Sequence, residues 1–273
     1  MGQLMNSKVL LLGSSGNLGG ALKLFFLNHG IPFAAPGRHE LDISKPDSAF
    51  SIIADYNPSF VVNCTAMNGI NQCSTNVLAS IRLNSLFPRL LAARAHELRY
   101  RLIHFSTKCV FNNSDDIIPS THIPASPTTI YGSTKLAGEP PIDSSVTVLI
   151  RLPLLISTKP NNQIVWRILN ALQTGGNAKA STDVYSTPVY IDDVARKVST
   201  IVQENMKFGF PIHMSSDIRL SLYQTILSMA DLHKISVSRL QPALDAEFSF
   251  AQEKPGRLGL KSTNEFFRVS STF

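Results

Sequence analysis

Short apolar runs alternate with amphipathic stretches along the first 150 or so residues. Lys8 to Leu12 is an apolar run of strand length, cut by Gly13. Leu18, Leu22, Phe25 and Phe26 then recur at helical spacing. Ile31 to Ala35 reads as a second strand, and Pro46 to Tyr56 as a helix closed by Asn57-Pro58. Phe60 to Ala66 is a buried strand ending in small residues. Leu78 to Leu98 is helical, with Pro88 expected to kink or interrupt it. Leu102 to Ser106 and Val146 to Arg151 are further strands. Between them lie a polar surface loop, Asn112 to Thr129, and a helix carrying Tyr131 and Lys135 that Pro140-Pro141 ends. Beyond Pro153 the pattern loosens. Helices are expected over Ile164 to Leu172 (with Trp166 packed inside), after the lead-in Pro188 to Val194 as far as about Glu204, and over Ser221 to Leu232. Pro211 to Met214 is a short strand, and the tail to Phe273 has no clear period. Strands alternating with helices predict an α/β chain built on a doubly wound parallel sheet over residues 1–155. Residues 156–273 form a smaller part, with a segment near 186–215 packing back on the first domain.

Composition narrows the class. With 44% hydrophobic and 16% charged residues, the chain reads as soluble and globular. Its net charge of +6 comes from scattered Lys and Arg, without the clustered basic runs of a nucleic-acid binder; an anionic small molecule suits it better. Cys64, Cys73 and Cys109 lack CxxC spacing, so reduced thiols in the cytoplasm are expected. The run Val9 to Leu12 is too short for a signal peptide or membrane span. The seven histidines lie far apart, and no metal site is expected.

The first strand leads into Gly13-Ser14-Ser15-Gly16-Asn17-Leu18-Gly19-Gly20, spaced G-x-x-G-x-x-G. Glycines there allow a tight turn and close backbone approach, and the following helix presents its N-terminus to a pyrophosphate. After the second strand comes Arg38 rather than an acid. An acid would bind the ribose hydroxyls of NAD, whereas an arginine accommodates the extra phosphate of NADP; an ordinary exposed arginine is the other reading. Tyr131 and Lys135, four apart, share one helix face. A nearby ammonium favours the phenolate, so this pair could trade a proton near neutral pH. By itself Tyr-x-x-x-Lys also describes an ordinary exposed helix pair.

Together these segments resemble the extended short-chain dehydrogenase/reductases, and within them the dTDP-4-dehydrorhamnose reductase family. The likeness rests on the glycine motif, Glu40-Leu41-Asp42-Ile43, Pro58 through Asn63, Asn84 with Pro88, Phe105-Ser106-Thr107, and Tyr131 through Glu139. It extends to Pro188 through Ala195 and Lys254-Pro255-Gly256-Arg257. The resemblance implies a Rossmann-like fold whose C-terminal part binds substrate. It also implies an NAD(P)H-dependent reductase of a keto-sugar nucleotide in deoxysugar or polysaccharide biosynthesis, with NADP(H) favoured over NAD(H). Thr107, Tyr131 and Lys135 would be catalytic. The cofactor would lie on Gly13, Ser15, Gly16, Asn17, Leu18, Gly19, Arg38, Asp42, Ile43, Cys64, Thr65, Ala66 and Lys135. A homodimer is compatible with this reading; nucleic-acid and membrane partners are not expected.

Departures from the family concern the sugar pocket. Ser106-Thr107-Lys108-Cys109-Val110-Phe111 stands where Ser-Thr-Asp-Tyr-Val-Phe is common, and Arg151-Leu152-Pro153-Leu154 lacks the family's tryptophan. Met67-Asn68-Gly69-Ile70-Asn71 replaces the usual Tyr-Thr-x-Val-Asp. Two other functions fit the same resemblance. One is a sugar-nucleotide epimerase or dehydratase; the other is a catalytically silent, NADP-binding regulatory subunit, as the β subunit of methionine adenosyltransferase is.

Overall fold

The computed structural model describes residues 7–42, 45–112, 117–119, 124–248 and 259–269. Apolar run and amphipathic stretch become β1 (Val9–Leu12), α1 (Asn17–Asn28), β2 (Phe33–Ala34), α2 (Pro46–Tyr56) and β3 (Phe60–Asn63). Next come α3 (Ile70–Thr75), α4 (Val77–Ile81), a π turn (Arg82–Leu86), α5 (Phe87–Arg94) and β4 (Arg101–Thr107). The chain continues through α6 (Ile130–Ala137), β5 (Thr147–Leu152), α7 (Ile164–Gln173), α8 (Ile191–Gln203), β6 (Ile212–His213) and α9 (Leu222–Leu232).

Among the described residues the main sheet has six parallel strands in the order β2-β1-β3-β4-β5-β6. It is the doubly wound α/β arrangement expected from the alternation of elements. Both faces are covered, which is why β1, β3 and β4 are buried throughout. On one face Val9, Leu11, Ile103 and Phe105 pack with Leu22 and Phe26 of α1 and with Val194, Val198 and Ile201 of α8. On the other, Leu10, Leu12, Val61 and Leu102 pack with Ile53 of α2 and with Phe87 and Leu91 of α5. Each such side chain, fully buried, contributes roughly 1.5–3 kcal/mol.

Register then gathers the strand ends. Leu12 pairs with Asn63, Asn63 with His104, and Thr107 with Leu152. The loops starting at Gly13, Cys64, Lys108 and Pro153 therefore leave the sheet on one edge. Winding reverses between β1 and β3, the place where an open α/β sheet leaves a crevice for ligand.

A second cluster lies around α7 and α9, where Val165, Trp166 and Leu169 meet Ile226 and Met229. Trp166 is 5% exposed and its Nε1 donates to the Ser157 carbonyl at 2.7 Å, so it is packed inside. Beside it, Ala178–Ser181 pairs in parallel with Leu240–Ala243. Between 186 and 215, Val189–Tyr190 pairs with Leu155–Ile156 in a separate two-stranded sheet, and β6 extends the main sheet's edge beside β5.

Three local readings change. The 78–98 helix runs on as far as Arg94 with a π turn at Arg82–Leu86, and Pro88 sits in the first turn after it. The second strand is only two residues long. Within the polar loop, Ile117–Pro119 is a strand paired with Gly259–Lys261, a partner too distant in sequence for local pattern to reveal.

Candidate active site

The glycine turn is built by steric necessity at two positions. Gly13 has φ +81°, and a Cβ there would lie 2.8 Å from the carbonyl carbon of Cys64. A Cβ on Gly19 would lie 2.2 Å from the Gly13 oxygen, so only glycine lets α1 start this close to β1. Helix α1 begins at Gly16 without a side-chain cap, which leaves its first-turn amides directed at the cleft. Asn17 Nδ2 donates to Asn162 Oδ1 at 3.2 Å, tying the turn to the loop before α7.

After β2, the Gly37 amide donates to the Glu40 carboxylate at 2.7 Å, which closes the turn bearing exposed Arg38. Ser15, Leu18, Arg38 and Asp42 all line the cleft. Ile43 and the segment 254–257 lie outside the described residues.

The end of β3 is shaped by Asn63, whose Oδ1 accepts from Thr65 N at 3.1 Å and Thr65 Oγ1 at 2.6 Å. Its Nδ2 donates to His104 Nδ1 at 3.3 Å. These bonds set the course of Cys64, Thr65 and Ala66 along the cleft wall. Asn63 and His104 were not singled out from sequence. The available signal was a polar residue closing an otherwise apolar strand, Phe-Val-Val-Asn.

Strand β4 delivers Thr107 to the same wall, where its hydroxyl accepts from the Cys109 amide at 3.3 Å. Helix α6 starts at Thr129, which accepts from the Gly132 amide at 2.9 Å. It brings Tyr131 beside Thr107 on the cleft wall. One turn on, Lys135 is buried at 3% exposure, with Nζ donating to the Phe105 carbonyl at 2.7 Å.

Electrostatics correct one expectation. Burial pushes the Tyr131 phenol up, against a smaller lowering by the neighbouring Thr107, so it stays protonated at neutral pH. Lys135 does not pull it down; its ammonium is turned to the strand carbonyl, and burial lowers its own pKa to about 8. Burial also raises the Cys64 thiol and holds His104 well below the usual imidazole range, so both are neutral.

Close backbone contacts hold α6 in place. A Cβ on Gly132 would be 2.1 Å from the Cys109 oxygen, and one on Gly138 would be 1.8 Å from the Asn84 oxygen. From the π turn, Asn84 Nδ2 donates to Thr134 Oγ1 at 3.2 Å and Ser85 Oγ to the Thr134 carbonyl at 2.7 Å. Asn84 also spans Met67, accepting from its amide at 2.8 Å and donating to its carbonyl at 3.0 Å. Lys108, the charge-reversed position, is buried and donates to the Tyr185 carbonyl at 2.6 Å.

The cleft encloses about 1980 Å³ and runs from the glycine turn past Tyr131 and Lys135 to Arg167, Lys179 and Tyr185 of the C-terminal part. Sequence reasoning did not anticipate these last three, because the pattern there carries no motif. A family described as the RmlD substrate binding domain matches residues 7–268. The chain belongs to the RmlD family.

A probable dTDP-4,6-dihydroxy-2-methyloxan-3-one 4-ketoreductase of Streptomyces antibioticus is 25% identical over 249 residues, covering 90% of this chain and 84% of the relative. Methionine adenosyltransferase 2 subunit beta of Pongo abelii is 26% identical over 263 residues, covering 90% and 78%. The crystal structure of dTDP-4-dehydrorhamnose reductase from Bacillus anthracis in complex with NADP superposes with a TM-score of 0.85, at 19% identity, over 98% of this chain and 96% of that one. Among the described residues, no group of three or more His, Cys, Asp or Glu could hold a metal ion, and no helix is long and apolar enough to cross a membrane.

Proposed function

We propose that this RmlD-family chain is an NADP(H)-preferring reductase of a keto-sugar nucleotide. The observation that carries the proposal is one cleft with the glycine turn at one end and Thr107, Tyr131 and Lys135 on its wall. The residues present fit a dinucleotide: positions 13 and 19 tolerate no Cβ, and the uncapped start of α1 suits a pyrophosphate. NADPH, when bound, supplies the hydride. Gly13, Ser15, Gly16, Asn17, Leu18 and Gly19 would hold its pyrophosphate, and Cys64, Thr65 and Ala66 would flank it. Arg38 would take the 2′-phosphate, with Asp42 beside the adenosine.

In this reading Tyr131 is the acid. Its phenol keeps its proton until the carbonyl oxygen gains charge, then gives it up across the hydrogen bond that the oxygen forms with Tyr131. Thr107 donates a second hydrogen bond to that oxygen. Lys135 holds the nicotinamide ribose. Residues 1–155 are assigned to the cofactor and 156–273 mainly to substrate, with 186–215 serving the sheet. Arg167 and Lys179 are placed to favour an anionic substrate, as a nucleotide sugar is. The three free cysteines suit a cytoplasmic protein.

The test is NADPH consumption with a panel of keto-sugar nucleotides, alongside titration of NADPH and NADH by nucleotide fluorescence. NADPH is expected to bind more tightly, and Arg38→Ala to remove that preference, a loss of about 1.5–3 kcal/mol for a hydrogen bond to a charged group. Equal affinities in the wild type exclude the role of Arg38. The methionine adenosyltransferase relative favours a second reading, a regulatory subunit. Tight NADPH binding with no turnover of any substrate would select it.

A further inference from the structure

Beyond Tyr131 the cleft is bounded by α7 and by the strand Ala178–Ser181, which pairs in register with Leu240–Ala243. Side chains alternate between the two faces of a strand. Ala180 is fully buried in the cluster with Leu169, Ile226 and Met229, so Lys179 and Ser181 point the other way, and both line the cleft. Backbone bonds hold the chain past Ser181, where the Thr182 amide donates to the Ala243 carbonyl at 2.9 Å.

Ser181 is 3% exposed, yet among the described residues its Oγ has no hydrogen-bond partner. Other buried serines of the C-terminal part are satisfied. Ser186 Oγ accepts from the Leu154 amide at 3.0 Å, Ser215 Oγ from the Ser262 amide at 3.0 Å, and Ser221 Oγ from the Gln224 amide at 3.1 Å. A buried hydroxyl without a partner costs stability, so its presence calls for a reason. The neighbouring wall supplies one. Helix α7 presents Ile164, Arg167, Ile168 and Ala171 to the cleft, spaced three and four apart on one face. Ile164 is 41% exposed, which leaves apolar surface uncovered there. Arg167 and Lys179 add positive charge, with Glu247 3.9 Å from Lys179 and Asp245 also on the cleft wall.

We propose that Ser181 is a specificity-determining residue whose hydroxyl bonds the nucleoside of the substrate, with the base lying against the Ile164, Ile168 and Ala171 face of α7. The inference rests on the proposed nucleotide-sugar substrate. Reduction requires the keto sugar at Tyr131, so the rest of that molecule extends along the cleft toward α7. A nucleoside combines a flat apolar ring face with polar edges and hydroxyls. A serine hydroxyl both donates and accepts, so it can meet either kind of polar group.

The experiment measures binding of dTDP, UDP and inorganic pyrophosphate by calorimetry, with NADPH saturating so that the nucleotides are kept out of the cofactor cradle. Wild type and Ser181→Ala are compared, and the melting temperature of each is recorded without ligand. Ser181→Cys keeps the side-chain shape should the alanine variant fail to fold. Ser181→Ala is expected to bind the preferred nucleotide about 5- to 100-fold more weakly and pyrophosphate as wild type does. Its melting temperature is expected to stay level or rise, because the hydroxyl makes no bond in the free protein. Unchanged nucleotide affinity in a folded variant overturns the proposal. Equal weakening of nucleotide and pyrophosphate also overturns it, since the hydroxyl would then serve the diphosphate. A wild type that binds neither nucleotide overturns the nucleotide-sugar reading itself, and this inference with it.

Discussion

Tyr131→Phe is expected to lower carbonyl reduction by about 10²–10⁴-fold, the usual worth of a positioned general acid, while NADPH binding barely changes. The substitution keeps the ring and its packing in the cleft and removes only the phenol oxygen. In the resting protein that oxygen lies beside Thr107 and holds its proton because it is buried. Thr107→Val is expected to cost less, about 1–3 kcal/mol of transition-state stabilisation, since it removes one hydrogen bond and leaves the acid in place. Both are read from single-turnover rates on whichever keto-sugar nucleotide the wild type reduces, with folding checked by circular dichroism. A folded Tyr131→Phe protein with wild-type rate would make Tyr131 a wall residue and nothing more.

Gly19→Ala is expected to weaken NADPH binding by roughly 10²-fold or more, the scale of a displacement near 1 Å at a positioned group. The new methyl would stand 2.2 Å from the Gly13 oxygen, a contact no real Cβ makes. The obstacle is backbone, not the tip of a flexible side chain, so α1 must move away from β1. That movement withdraws the first-turn amides from the pyrophosphate. Leu22 and Phe26 of the same helix pack into the core, so the shift also costs stability. Nucleotide fluorescence titration with a melting curve separates the two effects. Wild-type affinity in Gly19→Ala would show that the cofactor does not use this turn.

Much of the fold was legible because its signals are local. Val9 to Leu12 reads as a buried strand wherever it occurs, and Pro46 to Tyr56 carries its own start and stop. The glycine turn was legible for a similar reason, since spacing alone says where a Cβ is absent. The π turn at Arg82–Leu86 was not. It inserts a residue into the helix so that Asn84 reaches both Met67 and Thr134, contacts made across the fold. Nor was the strand Ile117–Pro119, whose partner lies about 140 residues further on.

The candidate site divides in the same way. Tyr131 and Lys135 share a helix face by spacing alone, and the sequence by itself determined their neighbourhood. Thr107 joined them in the sequence reading only through family resemblance, because no periodicity links a strand end to a helix that begins beyond a polar loop. Tertiary structure alone decided the charge states. The sequence suggested an ammonium drawing down a phenol, but a residue's pKa depends on how much water its surroundings exclude and where its hydrogen bonds go. Lys135 turns to the Phe105 carbonyl, and burial acts on both Lys135 and Tyr131. Composition and spacing determined an α/β chain with a nucleotide cradle; packing decided which protons its side chains keep, because desolvation exists only once the chain has closed around them.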